Sequence, residues 1–163
     1  EAHDALTAAG VEDTVISRSQ HFLDDPGISV VKDAAVATSV VPVHAMHDPT
    51  EGGLATGLLE MAKAAGVGLL VYEDKIRLLP ESKKLCDALG LDPFGLIASG
   101  ALLAAVSPQD TPLLIEALVQ KGIAACEIGR VTSPDKGIML RTPGGDRRLP
   151  TFERDELARW FEG

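Results

Sequence analysis

The chain has 163 residues, a length that fits one domain and can bury a core without disulfides or metals. Apolar residues make up 45% of the chain and aromatic residues only 4%, so we expect a core of Leu, Val, Ile and Ala. The net charge of -9 argues against binding to nucleic acid or to an anionic membrane, because such a surface repels phosphate.

Helix and strand signals alternate through the first part of the chain. The clearest helix carries Leu54, Leu58, Met61, Ala62 and Ala65 on one face, and Gly66 is placed to end it. The predicted elements, in chain order, are helices at 2–9, 28–41, 54–65 and 80–90 with a turn of helix at 91–94, strands at 43–46 and 68–72, and an extended segment at 76–79. For 28–41 the length favours a helix, and the content of Val and Ile leaves a strand as the alternative.

The second part of the chain continues this alternation. The predicted elements are a strand at 101–106, a helix at 108–121, strands at 124–131 and 137–141 joined by a turn at 133–136, a turn at 142–146, and a helix at 153–161. The strand at 101–106 is almost wholly apolar, which predicts a central position in a sheet. The pattern indicates a single layered α/β or α+β domain, residues 1–163, with a mixed sheet and helices on both of its faces.

The stretch His47 to Gly53 lies where a strand ends and the clearest helix begins. Asp48 can cap that helix, Pro49 suits its first position, and Glu51 completes a capping box. Capping alone accounts for these three residues without any function.

Capping does not account for Gly52 and Gly53, because each glycine costs a helix about 1 kcal/mol relative to alanine. A helix amino terminus offers free amides and a positive dipole end, and glycine lets a ligand approach the backbone closely. One hypothesis is therefore a phosphate or carboxylate held by Thr50, Glu51, Gly52 and Gly53. The alternative is close packing of the helix on a strand.

Other candidate residues give weaker signals. His44, His47 and Asp48 lack a further metal ligand, so we predict no metal site there. Ser99 and Gly100 precede an apolar strand and either form a turn or open the sheet edge to a ligand. Cys86 and Cys126 have no metal-type spacing, which favours two buried free thiols.

Several motifs, in order and at compatible spacing, resemble one family. His47 to Ala55 reads HDPTEGGLA, and the resemblance continues through the segments 66–68, 89–93, 98–100 and 128–131. They resemble the carboxy-terminal domain of the AIR-synthase superfamily, and most closely its hydrogenase maturation carbamoyl dehydratase branch. The resemblance covers roughly residues 28–142.

The resemblance implies a three-layer α/β/α domain, partly like a ferredoxin fold, from a two-domain cytoplasmic enzyme. It implies ATP-dependent chemistry on a small amide-type or other phosphoryl acceptor, with ATP and Mg²⁺ held by an amino-terminal domain absent from this chain. We expect no cofactor and no ATP turnover in this domain alone. The implied partners are a small-molecule substrate, the absent domain and a second copy of the whole protein. His47, Asp48, Thr50, Glu51, Gly52, Gly53, Ser99 and Gly100 are the residues we predict to bind substrate or phosphate.

Two departures from this branch stand out. Ser99 and Ala101 occupy positions where the branch carries an acidic residue and a lysine, and the chain ends at Gly163 without the branch's terminal cysteine. They favour a related but distinct member of the superfamily. The alternative hypothesis is a non-catalytic binding or regulatory module that keeps the fold. The chain shows no signal peptide or membrane-spanning apolar run and begins at Glu1 rather than Met, so we predict a cytoplasmic protein and a start at a domain boundary.

Overall fold

The computed structural model describes residues 2–162, which form a mixed α and β structure with two sheets. The helices are α1 (His3–Ala8), α2 (Asp13–Gln20), α3 (Val31–Val40), α4 (Gly53–Ala65), α5 (Pro80–Leu89), α6 (Thr111–Gln120) and α7 (Glu156–Glu162). The strands are β1 (Val43–His47), β2 (Gly68–Tyr72), β3 (Leu103–Val106), β4 (Gly129–Thr132), β5 (Ile138–Thr142) and β6 (Gly145–Arg148). Single turns of 3-10 helix lie at His21–Leu23, Glu73–Lys75 and Pro134–Lys136. No helix within residues 2–162 is long and apolar enough to cross a membrane.

The smaller sheet shows why the architecture has three layers. Its strands β1 and β3 are antiparallel, with His47 opposite Leu103 and Val43 opposite Val106. Leu103 belongs to a core cluster with Leu58 of α4, whereas Val43 and Val106 pack against a second cluster formed by α3 and α6. Since Leu103 and Val106 are three residues apart on one strand, they point to opposite faces. Helices therefore cover both faces of this smaller sheet, whereas the prediction of helices on both faces was made for a single mixed sheet.

The larger sheet has the strand order β4-β2-β5-β6, with β2 and β5 parallel and the other pairs antiparallel. Its inner face contributes Val71 and Leu140 to the cluster that contains Leu58 and Ala55 of α4. The mixed sheet was predicted correctly, but its pairing was not. We expected β4 and β5 to be joined as neighbours by a turn, and β2 lies between them.

Helix α4 follows its predicted apolar stripe. Leu58 and Ala62 are 7% and 1% exposed, and Leu54 and Met61 pack at the edge of the same core. Gly66 ends the helix in the left-handed conformation at φ 64°. Only Ala65, in the last turn, departs from the prediction, because it is exposed.

Elsewhere the structure corrects several predicted elements. β3 pairs only with β1, so the apolar segment 101–106 is not central in a sheet. Residues 91–94 form no helix and the turn there lies at 93–95. Residues 76–79 form no strand, and β4 begins only at Gly129. The short strand β6 and the helix α2 were not predicted. Cys86 is buried but Cys126 is exposed, and both thiols are free.

The segment after β6 runs back across the core. We call residues 149–162 the C-terminal strap. Leu149 is 6% exposed and donates its amide to the carbonyl of Ile138 at 3.0 Å. The ring of Phe152 lies over Gly95 so closely that an added Cβ would overlap the ring. The strap thus places α7 beside the loop 90–96 and close to the start of α4.

Candidate functional site

Two of the predicted site segments meet in the structure. The carbonyl of Thr50 accepts hydrogen bonds from the amide of Gly53 at 3.1 Å and from the amide of Ala98 at 3.2 Å. The loop carrying Ser99 and Gly100 is therefore joined to the turn that precedes α4. The side chains of Asp48, Thr50, Glu51 and Ser99 are all exposed there. The arrangement is an open polar surface at the start of a helix.

The start of α4 differs from the predicted capping box. The helix begins at Gly53, and its cap is Gly52 in the left-handed conformation at φ 73°, with no side-chain cap. Asp48 therefore does not cap α4, and Pro49 does not occupy its first turn. Pro49 is instead buried and packs against Gly57 of α4. A Cβ added to Gly57 would lie 2.8 Å from the Cβ of Pro49. Tertiary packing of the turn decides where the helix begins, rather than the local capping signal.

The backbone of Gly53 lies very close to the backbone of the loop 94–96. Its φ is 64°, and an added Cβ would lie 2.6 Å from the carbonyl oxygen of Phe94 and 3.0 Å from the carbonyl carbon of Gly95. The next turn of α4 is tied to the same loop, because the amide of Ala55 donates to the Phe94 carbonyl at 3.0 Å. The packing alternative from the sequence thus accounts for Gly53, although its partner is a loop and not a strand.

The amide of Gly52 holds a carboxylate from the far end of the chain. It donates to Oδ2 of Asp155 at 2.9 Å, and Oδ1 of Asp155 accepts from the amide of Leu157 at 2.9 Å. One aspartate therefore serves the starts of both α4 and α7. Sequence reasoning missed Asp155. The helix predicted at 153–161 placed Asp155 inside its first turn, whereas α7 begins at Glu156, so neither the role at α7 nor the long-range bond was predicted.

The two candidate histidines do not converge. Nε2 of His47 lies 2.7 Å from Oε2 of Glu60 on α4, and Nε2 of His44 lies 3.2 Å from the hydroxyl of Ser107. His44 lies in an irregularity of β1 between Val43 and Ala45, and the two side chains have different partners. Among residues 2–162 no group of three or more His, Cys, Asp or Glu is arranged to hold a metal ion.

Glu156 organises the loop behind the site and was also missed from sequence. Its carboxylate accepts from both Nε and Nη2 of Arg159, at 2.7 and 2.8 Å, and from the amide of Asp92 at 2.8 Å. Its own amide donates to the carbonyl of Gly95 at 3.0 Å. The hydrogen bond from Arg159 is the main reason why the pKa of the Glu156 carboxyl is lowered below its ordinary value.

Glu156 should make the stability of the fold depend on pH. Because the pKa is lower in the folded chain, the ionised carboxylate stabilises the fold above its ordinary value of 4.5, and this contribution is lost as the pH falls through the folded value. Urea unfolding should show a deficit for Glu156→Gln that is full near neutral pH and shrinks in acid. Glu153→Gln, on the exposed part of the strap, is the control. A deficit that stays constant with pH would contradict the prediction.

Comparison with known proteins identifies the family. Residues 2–140 match the family described as AIR synthase related protein, C-terminal domain. The chain belongs to this family. Carbamoyl dehydratase HypE of Rhodobacter capsulatus is 35% identical over 130 residues, which are 77% of this chain and 38% of that protein. The chain thus spans less than half the length of this relative.

Solved structures of HypE share the AIR-synthase-related fold. The crystal structure of Escherichia coli HypE, a hydrogenase maturation protein, superposes with a TM-score of 0.71 at 28% identity over 80% of this chain and 42% of that one. HypE in complex with ATP superposes with a TM-score of 0.63 at 30% identity, over 69% of this chain and 37% of that one. A HypE–HypF complex superposes with a TM-score of 0.59 at 26% identity, over 68% of this chain and 37% of that one. One of these HypE structures is thus a complex with ATP, and another is a complex with HypF.

Proposed function

We propose that this chain is the carboxy-terminal, substrate-side domain of a larger ATP-dependent enzyme of the AIR-synthase type. Its substrate would be a small molecule with an amide-type or other phosphoryl-accepting oxygen. An amino-terminal domain would hold ATP and Mg²⁺, so that this domain alone holds no cofactor, and whole copies would pair in the cytoplasm. The family match, the carbamoyl dehydratase relatives and the ATP complex of HypE support this proposal.

The surface of the chain supports the two-domain part of the proposal. A compact monomer of 17.1 kDa exposes about 7,800 Å². This chain exposes 10003 Å². The surplus is larger than the roughly 800 Å² that each partner contributes to a standard protein interface. Exposed apolar side chains near the candidate site, including Met46 and Ile97 at 39% and 44% exposure, would be covered by such a domain.

The start of α4 is where we place the anionic part of the substrate or nucleotide. The observation that carries this assignment is the Asp155 carboxylate on the Gly52 amide, since it shows that this helix end accommodates an anionic oxygen. The hydroxyls of Thr50 and Ser99 lie exposed on the adjoining surface. His47, Asp48, Glu51, Gly53 and Gly100 complete the set of residues that we propose for this site.

Such a surface suits phosphoryl transfer, because that chemistry depends mainly on positioning and on stabilising charge. The helix end and the neighbouring hydroxyls would orient an anionic group, while the other domain would supply the metal. We assign no catalytic residue in this chain. A second candidate function, a non-catalytic binding module, is favoured by Ser99 and Ala101 standing in place of a charged pair.

Titration of the whole chain with sodium sulfate tests the anion site. We expect the largest amide chemical-shift changes at Gly52, Gly53 and Leu54, weakening as sodium chloride is added, because an exposed charge interaction is screened by salt. In Asp155→Asn the affinity for sulfate should rise, because a competing negative charge leaves the Gly52 amide.

Asp135→Asn is the matched control, since it removes the same charge from an exposed turn elsewhere in the chain. An equal rise in sulfate affinity in the two variants would mean that sulfate binding depends only on the net charge of the chain. Shift changes scattered over the surface would show that the start of α4 is not an anion site, and the packing explanation of the glycines would then be sufficient.

A further inference from the structure

The outer face of the larger sheet carries apolar side chains that no core cluster includes. Successive residues of a strand point to opposite faces. Val71 and Leu140 point inward to α4, so Leu70, Tyr72 and Met139 point outward. These three side chains are half-buried and belong to neither core cluster.

Arginines flank this apolar centre on both sides. In the sheet register Arg130 is opposite Leu70, Leu70 is opposite Met139, and Met139 is opposite Arg148, so the four form one row across the sheet. In the next row Tyr72 is opposite Arg141, whose guanidinium lies 5.9 Å from the centre of the tyrosine ring. We call this surface the open face, and it consists of Leu70, Tyr72, Arg130, Met139, Arg141 and Arg148.

The open face differs in charge from the rest of the chain. It presents three guanidinium groups against the two carboxylates of Glu127 and Asp146, on a protein whose net charge is -9. Arg130 pairs with Glu127 and Arg141 pairs with Asp146, but the arginine side chains are 71% and 53% exposed. Exposed pairs are held by only about 0–1 kcal/mol, so these arginines can exchange partners. Arg, Tyr and Met are also the residue types enriched in protein interfaces.

We propose that the open face binds an acidic amphipathic helix of a partner protein. Four strands about 4.8 Å apart and four or five residues long form a platform on the order of 15 by 15 Å. One helix, about 10–12 Å in diameter, fits this platform. Its apolar stripe would cover Leu70, Tyr72 and Met139, and its acidic flanks would meet Arg130 on one side and Arg148 on the other.

Charge argues against two other occupants, a second copy of the chain and nucleic acid. A second copy placed on the open face by two-fold symmetry would set arginine against arginine, because a two-fold interface pairs each patch with itself. Nucleic acid would gain little from three arginines against the repulsion of the acidic surface around them. An acidic amphipathic helix would bury the apolar centre and pair its carboxylates with the basic flanks.

Binding of a synthetic helical peptide to the whole chain tests the proposal. The probe is a fluorescein-labelled peptide of about five helical turns, with leucines at every third or fourth position and glutamates beside them. We expect fluorescence anisotropy to show binding of this peptide and none of a version with lysine in place of glutamate. Amide shift changes should centre on Leu70, Tyr72 and Met139.

Charge reversal locates the site. Arg130→Glu combined with Arg148→Glu should weaken binding at least about tenfold, which corresponds to about 1.4 kcal/mol. Arg77→Glu combined with Lys63→Glu, an equal charge change at exposed positions outside the open face, should change it less than about twofold. Equal effects of the two double variants, or absence of binding, would overturn the proposal. So would self-association of the chain or oligonucleotide binding that the Arg130 and Arg148 variant abolishes.

Discussion

Gly53→Ala should lower the free energy of unfolding by about 2–5 kcal/mol, as the sum of two penalties. The first is the left-handed conformation at φ 64°, which costs a residue with a Cβ roughly 1–2 kcal/mol. The second is steric, because the new methyl group would lie 2.6 Å from the Phe94 carbonyl oxygen, a backbone atom held by the amide of Ala55. Urea denaturation followed by circular dichroism measures the loss.

Gly66→Ala separates the two penalties. Gly66 ends the same helix with the same φ of 64°, but an added Cβ would meet nothing within 4 Å. Its substitution should therefore cost only the conformational part, about 1–2 kcal/mol. Equal losses at the two positions would show that the loop 94–96 yields to the methyl group, and that close packing does not explain Gly53.

Leu140→Ala should destabilise the chain by about 2–5 kcal/mol, because it removes buried methyl groups and leaves a cavity. Leu140 is 0% exposed and lies at the centre of the cluster that joins the larger sheet to α4. Leu113→Ala deletes the same atoms from a side chain that is 52% exposed on α6. That control should stay within about 0.5 kcal/mol of the wild type. Similar losses in the two variants would contradict the proposed position of the core.

The sequence was informative where structure depends on neighbouring residues. Helix α4 follows from a stripe at helical spacing and from Gly66, and β2 from a short apolar run. The family resemblance, carried by motifs along the chain, was confirmed by the match over residues 2–140. These signals are local or linear, so they can be found without knowing how the chain folds back on itself.

Long-range contacts explain what the sequence did not reveal. The strand order β4-β2-β5-β6 and the isolation of β3 depend on pairing between distant segments. Asp48 satisfies every local rule for a cap, but the backbone turns through Gly52, whose amide bonds to Asp155. The glycine pair was correctly identified as unusual. Its steric reason lies in the loop 94–96, far along the chain, so no spacing rule could reveal it.

The C-terminal strap has a consequence for how this domain can be cut or exchanged. The family match ends at residue 140, in the middle of β5, whereas the strap completes the hydrophobic core through Leu149 and Phe152. A fragment ending at the family boundary would expose Leu140 and release the Asp155 carboxylate from α4. Genetic recombination between relatives would therefore have to transfer the strap together with the core. The family match ends at residue 140, but the residues that fold together as one unit continue into the strap.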